Sequence, residues 1–183
     1  MIFALIDAEK AHYPTKVLCR TLGVKAHVHE CESVPKAMPE TLAGTRFDLI
    51  FLFSILTHLS EPTHLQVLRV LHSALSDGGL LAVTIRPREA WEVLATPERE
   101  RLQREHDSRG FAFLPIAIDE LGTVDGQPTF GETTISLQYV ATHWTDWQIV
   151  DMDLNLIDPY QLILFLKKGS GMSIPKYNRY NCP

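Results

Sequence analysis

Glycine is missing from the first 22 residues; the ten glycines of this 183-residue chain begin at Gly23. A nucleotide- or phosphate-binding glycine loop therefore has no place in residues 1–22, because such a loop needs backbone approach that a Cβ would block. Cysteine is scarce as well: Cys19, Cys31 and Cys182 are odd in number and widely spaced. That excludes a disulfide framework and any zinc or redox spacing, and free thiols in a reducing compartment are expected. An excess of basic charge is absent. Lys plus Arg is 17 against 22 Asp plus Glu, a net charge of −5 with pI near 5.9. A nucleic-acid partner is not expected without that electrostatic footprint. No apolar run approaches ~20 residues, so neither a transmembrane helix nor a membrane partner is expected. The apolar start, Met1 to Ile6, ends at Asp7 without a basic flank, too short for a signal peptide. A cytoplasmic location is the expectation.

What is present suits one folded domain. The chain is 45% hydrophobic and 21% charged, ordinary for a soluble globular protein. Residues 2–6 form a short apolar run that reads as a buried parallel strand. A helix is expected in the later part of residues 9–22, after Pro14 and ending at Gly23. Residues 25–30 alternate weakly and read as another strand, followed by a loop bracketed by Pro35 and Pro39.

Residues 47–54, Phe-Asp-Leu-Ile-Phe-Leu-Phe-Ser, form the strongest strand signal and are apolar on both faces, as at the centre of a covered parallel sheet. Ser60, Glu61 and Pro62 open a helix with Ser60 as N-cap, and Leu65, Leu68, Leu71, Ala74 and Leu75 recur at helical spacing. Asp77-Gly78-Gly79 is expected to close it as a C-cap, before a buried strand from Leu80 to Ile85.

Beyond it, Thr96-Pro97-Glu98 starts a charged, solvated helix through Asp107. Phe111–Ile116 is a strand or packed loop, and Gly122, Gly126, Pro128 and Gly131 mark a turn-rich connection. Thr133 or Thr134 is expected to cap a helix running to His143. Trp147–Leu154 and Gln161–Leu166 read as an antiparallel strand pair joined through Asp158-Pro159. The domain is placed at 1–168. Residues 169–183, opening Gly169-Ser170-Gly171, read as a flexible tail, a natural segment or an added linker. The alternation gives an α/β fold: a Rossmann-like, mostly parallel sheet with helices on both faces and a C-terminal antiparallel strand pair.

The stretch Phe47 to Leu59, with its apolar strand running into Ser54-Ile55-Leu56-Thr57-His58, resembles the fourth-strand motif of class I S-adenosylmethionine-dependent methyltransferases. Leu75-Ser76-Asp77-Gly78-Gly79 running into Leu80–Thr84 is similar to that family's signature at strand five. One intervening helix fits the spacing, and Phe130–Tyr139 followed by two strands resembles many bacterial members. The likeness extends over about residues 3–168. It implies S-adenosylmethionine as cofactor and a small molecule as methyl acceptor.

The resemblance also implies site residues. Asp7 stands where the family places an acid that binds the ribose hydroxyls, and capping the next helix is its other reading. Glu30 or Glu32 stands near the expected adenine position, with a solvated loop carboxylate as the alternative. Phe53 and Ser54 follow strand four, beside the methionine end of the cofactor. His58 is the candidate general base, since a neutral imidazole accepts a proton near pH 7; otherwise it is a turn histidine. His64 is a weaker base candidate on the helix. Arg86 and Arg88 are candidates for an acidic substrate, and Trp91, Tyr139 and Trp144 for pocket walls or core. His27, His29, Glu30 and Cys31 lie close in sequence, but no second cluster joins them and no metal is expected.

One family element has no counterpart. The first strand and its glycine-rich loop should precede the strand at residues 2–6, and Asp7-Ala8-Glu9-Lys10 contains no glycine. The expectation is an N-terminally truncated member whose sheet contracts, or is completed by a second copy or a partner chain. Two functions follow: a methyltransferase-like domain acting on a small molecule, or a non-catalytic remnant serving interaction or assembly.

Overall fold

The structure is a computed structural model that describes Gly44 and residues 46–116, 123–124, 127–154, 158 and 160–169. The chain divides at Val34/Pro35, and all described residues belong to the second unit. The strands expected at 2–6 and 25–30, the helix of 9–22, the loop of 35–42 and the tail beyond Gly169 lie outside the described residues.

The strongest apolar run is a strand, β1 (Phe47–Leu52). Its partner is β2 (Leu75–Ile85), parallel, with Leu49 opposite Leu80 and Leu52 opposite Val83. Between them runs α1 (Glu61–Ala74), with Pro62 in the first turn, where a missing N–H costs nothing. Val67, Leu68, Leu71 and Ala74 recur at three and four and are buried. Ser60 is the N-cap residue, but its hydroxyl pairs with Thr63 Oγ1 at 3.0 Å instead of a backbone amide.

Two sequence expectations are corrected here. Asp77-Gly78-Gly79 is not a helix cap. The chain leaves α1 at Leu75 with extended backbone and continues directly into β2. The β1–β2 register jumps from Phe47 opposite Leu75 to Leu49 opposite Leu80, so Ser76–Gly79 bulge from the ladder. Leu75 is fully buried and anchors this passage; a Cβ on Gly79 would meet its Cδ1 at 2.9 Å. Close approach, not a left-handed turn, is what glycine supplies there. The second correction concerns β1, expected to be covered on both faces. Only Leu52 is buried along it, and it is the outermost strand of the sheet among the described residues.

The sheet order is β1-β2-β8-β7, with β7 (Trp147–Leu154) and β8 (Leu162–Lys168) forming the expected antiparallel pair. The last strand inserts between β2 and β7 and runs antiparallel to both. The core lies between this sheet and the helices, with Leu71, Leu81, Val83, Phe111, Trp144 and Leu164 in one cluster. No helix among the described residues is long and apolar enough to cross a membrane.

A second sheet joins β3 (Phe111–Pro115) to β6 (Gly131–Ile135), antiparallel. The short pair β4 (Thr123–Val124) and β5 (Gln127–Pro128) lies in the turn-rich connection between them. Thr133 and Thr134 therefore sit in a strand and do not cap a helix. Both are buried, and their hydroxyls are committed to Leu59 O and to the Trp91 and His106 side chains. The cap of α3 (Leu137–His143) is Ser136, whose Oγ accepts from Tyr139 N at 3.0 Å.

The charged helix is solvated as expected: α2 (Glu98–Arg109) buries only Leu102 and His106 and carries ion pairs at helical spacing. It ends at Gly110, φ +71°, where an added Cβ would lie 2.5 Å from Ser136 Oγ and 2.9 Å from Tyr139 Cβ. Left-handed strain and overpacking then act together, so Gly110→Ala is expected to lose about 2–3 kcal/mol in urea unfolding. A loss under about 0.5 kcal/mol would contradict this geometry.

A polar cleft at the carboxyl edge of the sheet

In an open parallel sheet, ligands bind beyond the carboxyl ends of the strands. Here that edge is where β1 and β2 end and where antiparallel β8 begins. β1 stops at Leu52, and Ser54 takes φ +57°, a left-handed conformation that costs a non-glycine residue about 1 kcal/mol or more. Its amide donates to Thr84 Oγ1 at 2.8 Å. Its hydroxyl accepts from Gln161 Nε2 at 3.1 Å. The same Nε2 donates to Asp158 Oδ2 at 2.7 Å, and Tyr160 N donates to Asp158 Oδ1 at 3.1 Å. Gln161 is 4% exposed, and its buried Oε1 has no partner among the described residues.

A second polar chain runs from the end of β2. The Arg86 guanidinium pairs with the Glu132 carboxylate. Glu132 Oε1 lies 3.4 Å from His58 Nδ1, which donates to Gly131 O at 2.9 Å. The His58 ring stacks on Phe130, centroids 5.5 Å apart. Burial lowers the His58 pKa, with Arg86 acting the same way against the raising effect of the Gly131 carbonyl. The ring is therefore neutral near pH 7. Because Nδ1 carries the hydrogen, the basic lone pair is on Nε2. Burial also lowers the Arg86 pKa, and the charge of Asp158 opposes that shift, which ties the two polar chains together.

Next to them opens a cleft of about 370 Å³, with Arg86, Glu132, Thr133, Thr134, Asp158 and Tyr160 as polar lining and Ala90, Trp91, Val93 and Leu94 as apolar lining. Its wall is held from inside: Trp91 Nε1 donates to Thr134 Oγ1 at 2.8 Å, and His106 Nδ1 is 2.8 Å from the same oxygen.

Phe53, Ser54 and His58 thus come to one edge, and Arg86 and Trp91 line the cleft. His58 does not line it and stands one residue away, against Glu132. Asp7, Glu30 and Glu32 lie outside the described residues. Arg88 is taken up by Asp107 in a two-point pair at 2.6 and 3.0 Å. Tyr139 and Trp144 are core, the Tyr139 hydroxyl donating to Glu61 Oε1 at 2.8 Å. His64 is fully buried. Thr84, Glu132, Asp158 and Gln161 were not expected as site residues. One signal pointed to the last two: the start of an antiparallel strand returns to the carboxyl edge of its parallel neighbours.

No family model and no curated protein matches the sequence. Among solved structures, an S-adenosylmethionine-dependent methyltransferase from Clostridium acetobutylicum is 12% identical, with 85% of this chain and 70% of that chain covered and a TM-score of 0.48. The CcbJ methyltransferase from Streptomyces caelestis is 12% identical, with 90% and 69% covered and a TM-score of 0.46. A structure from Rhodobacter sphaeroides described as a Zn-dependent alcohol dehydrogenase is 11% identical, with 83% and 70% covered and a TM-score of 0.48. Other similar structures are a DhpI–SAH complex and the glycopeptide N-methyltransferase MtfA complexed with S-adenosylmethionine, of which this chain spans about half the length. The described residues form a mixed α/β arrangement whose four-stranded sheet has one parallel and two antiparallel pairings, and S-adenosylmethionine-dependent methyltransferases are among the solved structures to which the chain is similar.

Proposed function

We propose that this chain is a cytoplasmic S-adenosylmethionine-dependent methyltransferase-like domain that acts on a small molecule in the cleft at the carboxyl edge. The observation that carries the reading is the convergence of two polar chains, Ser54–Gln161–Asp158 and Arg86–Glu132–His58, beyond the ends of β1 and β2. The paired strand-four and strand-five motifs support it, since they form the adjacent parallel strands β1 and β2.

The described residues fit one end of the cofactor. The Ser54 hydroxyl accepts from Gln161 and keeps its own hydrogen to donate, which suits the carboxylate of the methionine portion. In the same reading Phe53 borders that portion, Asp7 holds the ribose and Glu30 or Glu32 meets the adenine. When bound, the cofactor supplies an electrophilic methyl group on a sulfonium. The chain's own work is alignment of acceptor and methyl donor, with His58 Nε2 as the neutral nitrogen that receives a proton.

Calorimetric titration with S-adenosylhomocysteine tests this. Micromolar binding is expected, weakened about tenfold by Ser54→Ala, which removes one hydrogen bond to a charged group. Absence of binding at millimolar ligand, from a sample with native circular dichroism, would overturn the reading. It would leave the second one, a non-catalytic domain for assembly, or a chain completed by a second copy or partner.

A further inference from the structure

Charge is unevenly distributed around the cleft. Arg86 and Arg88 face Glu89, Glu92, Asp107, Glu132 and Asp158. Arg88 is committed to Asp107, and Arg86 to Glu132. Among the described residues, the carboxylate of Asp158 receives hydrogen bonds from two neutral donors, Tyr160 N and Gln161 Nε2, and shares the Arg86 charge with Glu132. Among the described residues, two lining carboxylates, Glu132 and Asp158, thus share one lining guanidinium, Arg86. The lining also includes the apolar Ala90, Trp91, Val93 and Leu94, and Val93 is 75% exposed, a large aliphatic surface left in water.

We infer that the acceptor molecule is an amine, bound as its ammonium beside Asp158 with an apolar body against Val93, Leu94 and Trp91. This rests on reading the cleft as the acceptor site. An anion would meet two carboxylates across one guanidinium, and a neutral alcohol would leave Asp158 without a counter-charge. An ammonium supplies both the charge and the N–H donors. The reaction balances: the ammonium releases one proton, in this reading to His58 Nε2, and its nitrogen lone pair forms the new N–C bond. The methyl–sulfur bond breaks, the sulfur keeps the pair as a neutral thioether, and the product is the methylated ammonium.

Three probes of one shape test the inference on the full chain: phenethylamine, 2-phenylethanol and 3-phenylpropionate, followed by calorimetry. Phenethylamine is expected to bind about tenfold more tightly than the alcohol, with the propionate weakest. Asp158→Asn should reduce the amine's advantage to about threefold or less while leaving the alcohol unchanged. Val93→Ser, an exposed change that spares the fold, should weaken all three together. The inference is overturned if the propionate or alcohol matches the amine, or if the advantage survives Asp158→Asn. It also fails if Val93→Ser changes nothing, if no probe binds, or if S-adenosylhomocysteine displaces the amine competitively, which would give the charge to the cofactor. The homocysteine titration stands apart. Its success with no amine preference sinks only this inference; amine binding without it sinks only methyl transfer.

Discussion

Lowering the pH from 6.5 to 5 is expected to cost the fold about 2 kcal/mol through His64 alone. His64 lies on α1 at 0% exposure, with its ring 6.0 Å from Phe111 and 5.1 Å from Trp144. Neither ring nitrogen has a hydrogen-bond partner among the described residues. Burial lowers its pKa from the ordinary 6.5 to about 3, and the nearby Leu56 backbone, which does not reach hydrogen-bond geometry, offsets only part of this. The folded chain therefore keeps the ring neutral where the unfolded chain protonates it. Stability is complete above pH 6.5 and falls by about 1.4 kcal/mol for each unit below, until the folded ring itself titrates near pH 3. His58 and His106 are also lowered, chiefly by burial, and act in the same direction. Urea unfolding between pH 7.5 and 5 measures the slope. His64→Leu conserves volume, removes an unsatisfied buried group and should flatten the slope, gaining about 2 kcal/mol over the parent at pH 5. An unchanged slope in that variant would place the acid sensitivity elsewhere.

Gly131→Ala is expected to destabilise the chain by about 3 kcal/mol or more. Its Cβ would stand 2.1 Å from Leu114 O and 2.7 Å from Phe113 Cε2. The first obstacle is backbone of the paired strand, which cannot retreat without opening the β3–β6 ladder at Pro115 opposite Gly131. The same residue holds the site, because Gly131 O accepts from His58 Nδ1 and the next side chain, Glu132, pairs with Arg86. Loss of stability in urea should thus be accompanied by weaker amine binding in whatever fraction stays folded. A loss below about 1 kcal/mol with binding intact would show that β3 can yield where the packing says it cannot.

Much of the fold was legible where local pattern and tertiary context agree. The apolar run of β1, the spacing of α1 and the solvated α2 are examples. Legibility failed where one residue type serves two purposes. Gly78 and Gly79 signal a turn by propensity, yet the buried Leu75 draws the chain straight into β2. Thr133 and Thr134 favour caps and strands alike, and their cross-strand partners on β3 settle the matter. The site was half legible. Ser54, His58 and Arg86 follow strand ends that periodicity locates. Glu132 and Gln161 reach the same edge through a second sheet and an inserted antiparallel strand, long-range pairings that no local window contains.

The central claim is that the carboxyl edge of β1 and β2 receives the cofactor. Backbone amide chemical shifts followed during a titration with S-adenosylhomocysteine test it most directly. The account predicts that Phe53 and Ser54 shift together along one saturating curve, with the Gln161 side-chain amide following and Trp147, at the other end of the sheet, unmoved. Saturable shifts confined to the Trp147 end, or none at millimolar ligand in a folded sample, would contradict it.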